Sequence, residues 1–248
     1  MVAAVKLQRH TGRLRAGRFL AEGPNLVEAA ARHGLVLEVF ATEAAAQRHS
    51  ELLAGLTVHE VTERAAKALS ETVTPSGLVA VCTPPDVALA DVLAARPRLV
   101  LVAVATSEPG NAGTLIRIAD AMGADAVVLT DDSVDPYNGK CLRASAGSIF
   151  ALPVLEAPDS AVLVAELRSA GLTVRATTLD ADNTLDAVDL TRPTAWLFGS
   201  EAHGLAADVA RLADERVRVP MWGGAESLNV AAAAAICMYE SARSLRLG

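Results

Sequence analysis

The stretch LVLVAVATSEPGNAGTLIRIADAMG, residues 99 to 123, decides the fold class of this chain. It opens with a continuous apolar run, which is typical of a strand that is buried on both faces. A Pro-Gly turn follows, and apolar residues then recur at helical spacing up to Gly123, a residue type that favours the end of a helix. A buried strand that leads directly into a helix predicts a parallel α/β sheet.

Strand-like and helical segments alternate on both sides of this stretch. Before it, the alternation predicts a small α/β unit, and residues 84 to 98, PPDVALADVLAARPR, predict a connector with a short helix. Beyond it, the alternation continues to a final helix, predicted from about residue 227 to 246. We therefore predict two units, residues 1–93 and 94–248, and expect a mostly parallel sheet covered by helices in the second.

Composition limits the environment and the partners. Of the 248 residues, 52% are hydrophobic and only 3% are aromatic, which predicts a core of Ala, Val and Leu. Three distant cysteines indicate reduced thiols rather than disulfides or a metal site. The apolar runs are too short to span a bilayer, and the N-terminus has no signal-like core. We expect a cytoplasmic protein with no metal and no membrane partner.

One segment departs from the overall acidic charge of −7. Residues 6 to 18, KLQRHTGRLRAGR, contain no acidic residue and a cluster of cations: Lys6, Arg9, Arg13, Arg15 and Arg18. We call residues 6 to 18 the basic segment. It could neutralise several phosphates, which an acidic chain otherwise could not do, or it could be a solvated, frayed N-terminus.

Three polar loops follow strands of the second unit: TSEPGN, LFGSEAHGL and VPMWGGAESLNV. In open α/β sheets, ligands bind beyond the carboxyl ends of the strands. The chain has no P-loop and no nucleophile-elbow pattern, and no GxGxxG follows the first strand of this unit. The loops therefore predict a ligand site that is not an ordinary nucleotide, dinucleotide or hydrolase site.

Taken singly, these polar residues also have ordinary explanations. Asn111 is a natural N-cap for the first helix, and Ser227 could cap the last one. Arg117, Glu201 and His203 could be solvated surface groups. Trp222 could stack on a base or cover the edge of the sheet. Helix capping explains Ser227 in the last loop well, but it explains Glu226 and Asn229 poorly.

The joint order of the three loops resembles the motifs of a known family. EPGNAGTLIRIADAMGA, LFGSEAHGL and VPMWGGAESLNVAAAAAICMYE are similar to the three motifs of the SpoU (TrmH-like) branch of the SPOUT methyltransferases. The N-terminal KLQRHTGRLRAGRFLAEGPNLVEAA resembles the ribosomal-RNA members of this branch. The resemblance implies an α/β-knot methyltransferase domain with a deep trefoil knot, preceded by a smaller L30e-like RNA-binding domain.

The resemblance implies methyl transfer from S-adenosylmethionine to a ribose 2'-hydroxyl by a homodimer, with 23S ribosomal RNA as the expected substrate. By motif, it implies cofactor contacts at Gly199, Val219, Leu228, Leu197, Met221, Ser227 and Thr178. It implies functional roles for Arg117, Asn111, Glu201 and Asn229. The basic segment then becomes an RNA contact through Arg9, Arg13, Arg15 and Arg18. A transfer-RNA substrate, or a non-catalytic RNA-binding protein with the same fold, is the alternative.

Two positions depart from the family pattern. The third motif usually reads SLNVS, and Ala231 stands where its last serine would be. The first motif often reads DPGN, and Glu108 replaces that aspartate. We expect catalysis nevertheless, because the other matched positions are intact. We do not expect Arg117 to be the base, because a guanidinium is not readily deprotonated.

Overall fold

A computed structural model describes residues 1–130, 132–201 and 203–247. Its N-terminal half is built on a four-stranded sheet in the order β1-β4-β2-β3, in which only the β2–β3 pairing is parallel. The strands are β1 (Phe19–Glu22), β2 (Val36–Ala41), β3 (Val58–Glu60) and β4 (Leu78–Cys82). The helices are α1 (Val2–Val5), α2 (His10–Ala16), α3 (Pro24–Arg32), α4 (Glu43–Arg48), α5 (Ser50–Leu53), α6 (Glu63–Leu69) and, in the connector, α7 (Leu89–Ala94).

The C-terminal half contains a seven-stranded sheet in the order β7-β6-β5-β10-β8-β11-β9, with parallel neighbours throughout. Its strands are β5 (Leu99–Ala103), β6 (Ala126–Thr130), β7 (Val154–Ala157), β8 (Thr173–Thr177), β9 (Asn183–Thr184), β10 (Thr194–Phe198) and β11 (Glu215–Arg218). Its helices are α8 (Pro109–Met122), α9 (Gly139–Ser145), α10 (Ser160–Ser169), α11 (Ala207–Ala210) and α12 (Val230–Leu247). The predicted α/β class with a parallel sheet is confirmed.

The sheet is covered on both faces, as its sequence predicts. One face packs against α8, α9 and α12, and the other against α10 and α11, so β5, β6 and β10 are buried along their whole length. The indole of Trp196 in β10 donates to Ser241 Oγ in α12 over 2.8 Å, and both residues are fully buried. This bond satisfies both polar groups in the core and ties the last helix to the centre of the sheet.

The two halves share one apolar core across their junction. Phe19 of β1 stacks on Tyr137, with ring centroids 4.6 Å apart, and lies 5.9 Å from the ring of Phe150. All three belong to or pack against the cluster that also contains the inner residues of β5 and α8. Aromatic pairs at such distances add to the burial energy, so the N-terminal half is packed against the larger sheet.

Candidate active site

The three predicted loops meet at one edge of the parallel sheet. They follow β5, β10 and β11. In the sheet, β10 lies next to β5, and β8 alone separates β10 from β11. Because parallel strands point the same way, their carboxyl ends share one edge, where ligands of such sheets bind. Residues that are distant in sequence are therefore brought together.

Three of the four residues with implied functional roles form one hydrogen-bonded group. Asn111 Nδ2 donates to Glu201 Oε2 over 2.7 Å, and Asn229 Nδ2 donates to Glu201 Oε1 over 3.0 Å. The Asn229 amide also lies 3.5 Å from Asn111 Oδ1. We call Asn111, Glu201 and Asn229 the strand-end cluster. It joins all three loops through a single carboxylate.

The carboxylate at the centre of this cluster stays ionised. Hydrogen bonds from Asn229 and then Asn111 lower the pKa of Glu201 below its ordinary value, against smaller opposing effects of desolvation and of Glu108. A hydrogen bond to the charged form favours that form. The cluster therefore keeps its charge as pH falls until the pH passes through this lowered pKa. Glu201 is thus suited to orienting two amides, and poorly suited to holding a proton at neutral pH.

Asn111 is not needed as the cap of α8 and can therefore take part in this cluster. The helix begins at Pro109, and the Glu108 carboxylate accepts the N–H of Gly110 over 3.2 Å as its cap. Lys140 pairs with the same carboxylate, and these two bonds lower the pKa of Glu108. The prediction that Asn111 caps this helix is wrong, because Asn111 lies inside the first turn and points its amide at Glu201.

The last helix also begins later than its sequence predicts. Asn229 Oδ1 accepts the N–H of Ala231 over 2.9 Å, and α12 starts at Val230. Asn229 is therefore the cap, and the prediction of a helix from residue 227 capped by Ser227 is wrong. A single side chain caps the helix with its oxygen and binds Glu201 with its nitrogen, which fixes its orientation.

The loop after β10 folds tightly back on itself. Ser200 and Gly204 exchange backbone hydrogen bonds of 3.1 and 2.8 Å. A Cβ at Gly199 would lie 2.1 Å from the carbonyl carbon of Gly204 and 2.2 Å from the nitrogen of Leu205. Only glycine permits this approach, so the position of Glu201 depends on the absence of a side chain at residue 199.

A cleft of about 1060 Å³ lies beside the strand-end cluster. Six of the seven residues implied as cofactor contacts line it: Thr178, Gly199, Val219, Met221, Ser227 and Leu228. Its size suits an organic ligand of moderate mass. The hydroxyl Oγ1 of Thr178 is buried and has no hydrogen-bond partner among the described residues. An orphaned buried hydroxyl on a cleft wall is unfavourable unless a ligand supplies its partner.

Leu197 does not line the cleft, so its assignment to the pocket wall is corrected. Its side chain is 1% exposed and packs in the core between the sheet and α10. Side chains alternate along a strand, and the next residue, Phe198, lines the cleft instead. Sequence reasoning also missed Thr177, whose hydroxyl donates to the Leu197 carbonyl over 3.0 Å at the cleft wall.

Arg117 is separate from the strand-end cluster. It is an exposed residue of α8 for which the described part of the chain provides no hydrogen bond or ion pair. It follows Asn111 by six residues, which in an α-helix corresponds to about 9 Å along the axis and about 120° around it. Within one chain, Arg117 and Asn111 therefore face different directions.

The basic segment is ordered, but one of its arginines points inward. The segment contains α2, and Arg9, Arg15 and Arg18 are exposed. Arg13 is only 7% exposed, and its Nε donates to Asp135 Oδ2 over 2.6 Å. The prediction that Arg13 binds RNA is corrected, because a buried and paired guanidinium presents no free charge to a phosphate. Nothing in the sequence around Asp135 and Pro136 predicted the ion pair between Asp135 and Arg13.

Other surface predictions have mixed outcomes. Trp222 is 92% exposed, so it does not cover the edge of the sheet, and base stacking stays a prediction. The three cysteines are free and buried, and burial raises the pKa of each thiol to about 12.

Within residues 1–130, 132–201 and 203–247, no group of three or more His, Cys, Asp or Glu residues could hold a metal ion. No helix in that part of the chain has the length and apolar character that a membrane crossing requires.

The fold and the geometry of the site together define an α/β protein with a cleft and a polar cluster beyond the carboxyl ends of a parallel sheet. The model of the SpoU rRNA methylase family matches residues 98–239, and that of the MRM3-like substrate-binding domain matches residues 3–80. The chain belongs to the SpoU rRNA methylase family. This confirms the predicted family, the cofactor S-adenosylmethionine, and the class of RNA ribose 2'-O-methyltransferases.

Similar proteins and solved structures match almost the whole chain. The chain is 38% identical over 235 residues to the 23S rRNA (guanosine(2553)-2'-O)-methyltransferase RlmP of Bacillus subtilis (strain 168), covering 94% of this chain and 92% of that protein. It resembles the crystal structure of the SpoU methyltransferase AviRb from Streptomyces viridochromogenes in complex with AdoMet, with a TM-score of 0.87 and 31% identity over 99% and 97% of the two chains. A crystal structure of an RNA 2'-O ribose methyltransferase is similar, with a TM-score of 0.83 and 34% identity over 100% and 96%.

Proposed function

We propose that this protein methylates a ribose 2'-hydroxyl of 23S ribosomal RNA. The convergence of Asn111, Glu201 and Asn229 beside a large cleft is the observation that carries this proposal. The name of the Bacillus subtilis relative supports the choice of RNA. A net charge of −7 leaves the exposed cations of the basic segment as the natural place for an RNA backbone to bind.

The cleft fits the cofactor in both size and chemistry. S-adenosylmethionine supplies a methyl group on an electrophilic sulfonium. We propose that the residues around Gly199, Val219 and Leu228 hold it through backbone groups, with Met221 and Ser227 completing the wall. Thr178 Oγ1, which has no hydrogen-bond partner in the described part of the chain, would form a hydrogen bond with the cofactor.

The strand-end cluster would position the ribose for attack. The Glu201 carboxylate accepts one bond from each amide and so fixes the orientation of Asn111 and Asn229. Among the described residues, Asn111 Oδ1 meets only the long 3.5 Å contact from Asn229, which leaves this oxygen able to accept a hydrogen bond from the 2'-hydroxyl. Holding the reacting atoms in line is a major source of rate in such a transfer.

Arg117 would bind the phosphate beside the target ribose and stabilise the developing alkoxide. Its separation from Asn111 in one chain supports a homodimer in which the site is completed across the interface. The exposed side chains of Ile236 and Tyr239, one turn apart on α12, offer an apolar patch for that contact. Light scattering should then give twice the chain mass for the wild type, and Ile236→Glu should shift it towards the monomer.

Three further predictions complete the proposal. The two family matches support a division into residues 1–93, an L30e-like RNA-binding domain, and residues 94–248, the methyltransferase domain. We propose that the second domain contains the deep trefoil knot of its family. We also propose a cytoplasmic location, where ribosomal RNA is available and the three buried thiols stay reduced.

Transfer of a labelled methyl group tests this function directly. Purified enzyme and labelled S-adenosylmethionine would be incubated with 23S rRNA, 16S rRNA and bulk transfer RNA, and the product mapped for 2'-O-methylation. We expect incorporation into one ribose of 23S rRNA. Incorporation into transfer RNA alone would overturn the proposed substrate. Cofactor binding without transfer to any RNA would indicate a non-catalytic RNA-binding protein.

A further inference from the structure

We propose that Arg13 and Asp135 form a clamp that holds the basic segment at a fixed distance from the strand-end cluster. In this role they are positioning residues for the RNA and make no contact with it. The inference rests on the proposed function, and it assigns Arg13 a task different from that of its exposed neighbours Arg9, Arg15 and Arg18.

The Arg13 guanidinium makes three directed bonds at the junction of the two halves. Nε donates to Asp135 Oδ2 over 2.6 Å, and Nη1 donates to the carbonyl oxygens of Leu7 and Gln8 over 3.0 and 2.9 Å. The planar fork of an arginine fixes the directions of its donors. One side chain thus holds the start of the basic segment in shape and attaches it to the larger half.

Asp135 is equally committed to this arrangement. Its Oδ1 accepts the N–H of Tyr137 over 2.8 Å, while its Oδ2 binds Arg13 and lies 3.4 Å from His10 Nδ1. Its side chain is 12% exposed. Removal of either partner would leave a largely buried charge uncompensated. The stacked rings of Phe19 and Tyr137 support the same seam.

A short backbone route connects the clamp to the strand-end cluster. Val134, beside Asp135, donates its N–H to the carbonyl of Thr106 over 2.9 Å, and the N–H of Thr106 donates to Ser133 Oγ over 3.0 Å. Thr106 lies two residues before Glu108, the cap of the helix that carries Asn111. The position of Asp135 is therefore tied to the turn that places Asn111.

The other side of the clamp carries the exposed cations. Arg13 and Arg15 lie on the same helix, α2, and Arg9 and Arg18 flank it closely. When Arg13 is held, the distance from these cations to the strand-end cluster is held as well. An RNA that binds both the exposed cations and the strand-end cluster can then place only one of its riboses at the cluster. Misplacement by about 1 Å can cost a factor of about 100 in rate.

Two RNA fragments of different length test the clamp. Both contain the methylated nucleotide: a short hairpin that spans the strand-end cluster alone, and a longer fragment that also reaches the basic segment. For Arg13→Met and Asp135→Asn we expect kcat/KM to fall by about tenfold or more on the long fragment and to stay near wild type on the hairpin. The double variant should be no worse than either single variant, because the two residues act as one pair. Arg13→Lys, which keeps the charge without the fork, should lie between.

The salt dependence of RNA binding separates a clamp from a phosphate contact. Arg15→Met should reduce the slope of log K against log salt by roughly 0.7 to 0.9, the share of one phosphate contact, whereas Arg13→Met should leave it unchanged. An equal reduction by Arg13→Met would overturn the proposal. Equal loss on both fragments, or no loss on either, would do the same. A wild type that binds cofactor but methylates neither fragment would contradict the proposed function, and the salt slopes would still decide the role of Arg13.

Discussion

The strand-end cluster and the basic segment are both polar regions with expected roles in RNA methylation, but they are built in opposite ways. The cluster joins residues up to 118 positions apart, and all three side chains meet. The basic segment spans residues 6 to 18, and its side chains separate: Arg13 turns inward while Arg9, Arg15 and Arg18 stay exposed. Proximity in sequence was therefore a poor guide to shared function.

The difference follows from what positions each region. The cluster lies at the ends of parallel strands, and the topology of the sheet alone brings those ends to one edge. The basic segment lies mainly on a short helix, and the side of that helix that faces the protein depends on the ion pair between Arg13 and the distant residue Asp135. Chain topology decides the first arrangement, and side-chain packing decides the second.

Among the variants that test this comparison, loss of Arg117, which we propose acts on the same ribose as the strand-end cluster, should have the largest effect. In Arg117→Ala we expect kcat to fall by about 10² to 10³, the range for removal of a group that stabilises developing charge. Affinity for S-adenosylmethionine should stay within about twofold, because Arg117 does not line the cleft. Single-turnover kinetics and calorimetry measure the two quantities. Arg48→Ala, at an exposed arginine of α4, is the control, and a fully active Arg117→Ala would refute the assigned role.

The substitution Gly199→Ala tests whether the strand-end cluster depends on the close backbone packing at residue 199. In Gly199→Ala the new Cβ would lie 2.1 Å from the Gly204 carbonyl carbon, so the loop that carries Glu201 must move. Overpacking typically costs about 1–3 kcal/mol, and we expect cofactor affinity to fall by up to about 100-fold. Gly224→Ala is the matched control, since a Cβ there meets no atom of the described residues within 4 Å. Similar affinities for the two variants would contradict this explanation.

The orphaned hydroxyl of Thr178 predicts a smaller effect. In Thr178→Val we expect cofactor affinity to fall by about fivefold, the value of one hydrogen bond of about 1 kcal/mol, with no loss of thermal stability. Thr106→Val is the control, because Thr106 Oγ1 is also buried without a described partner but lies outside the cleft. Calorimetric titration distinguishes the two variants. An unchanged affinity in Thr178→Val would remove Thr178 from the cofactor site.

The smallest expected effect lies in the basic segment. Arg15→Gln should weaken RNA binding by a few-fold near physiological salt and by less at high salt, because a single exposed cation releases few counterions. Cofactor binding should not change. Filter binding at three salt concentrations measures this, with Arg48→Gln as the control. Equal weakening in both variants would mean that the basic segment has no special part in RNA binding.

Much of the fold could be predicted from periodicity. The strand that begins at residue 99 and the helix that ends before Gly123 lie where their patterns predict them. Short elements could not be predicted: the two-residue strand β9 exists only because it pairs with β11. Helix starts were also misplaced, since the choice between Ser227 and Asn229 as a cap depends on which side chain Glu201 already holds.

The sequence by itself determined the alternation of strands and helices, the family, and the three loops that carry the candidate site, because these depend on local pattern and on the order of motifs. Tertiary structure alone decided which polar side chains meet and which are buried. Leu197 points into the core, Asn111 points at Glu201, and Arg13 points at Asp135. The physical reason is that a side chain's direction and partners depend on neighbours that folding brings close, and those neighbours lie as many as 122 residues away in the chain.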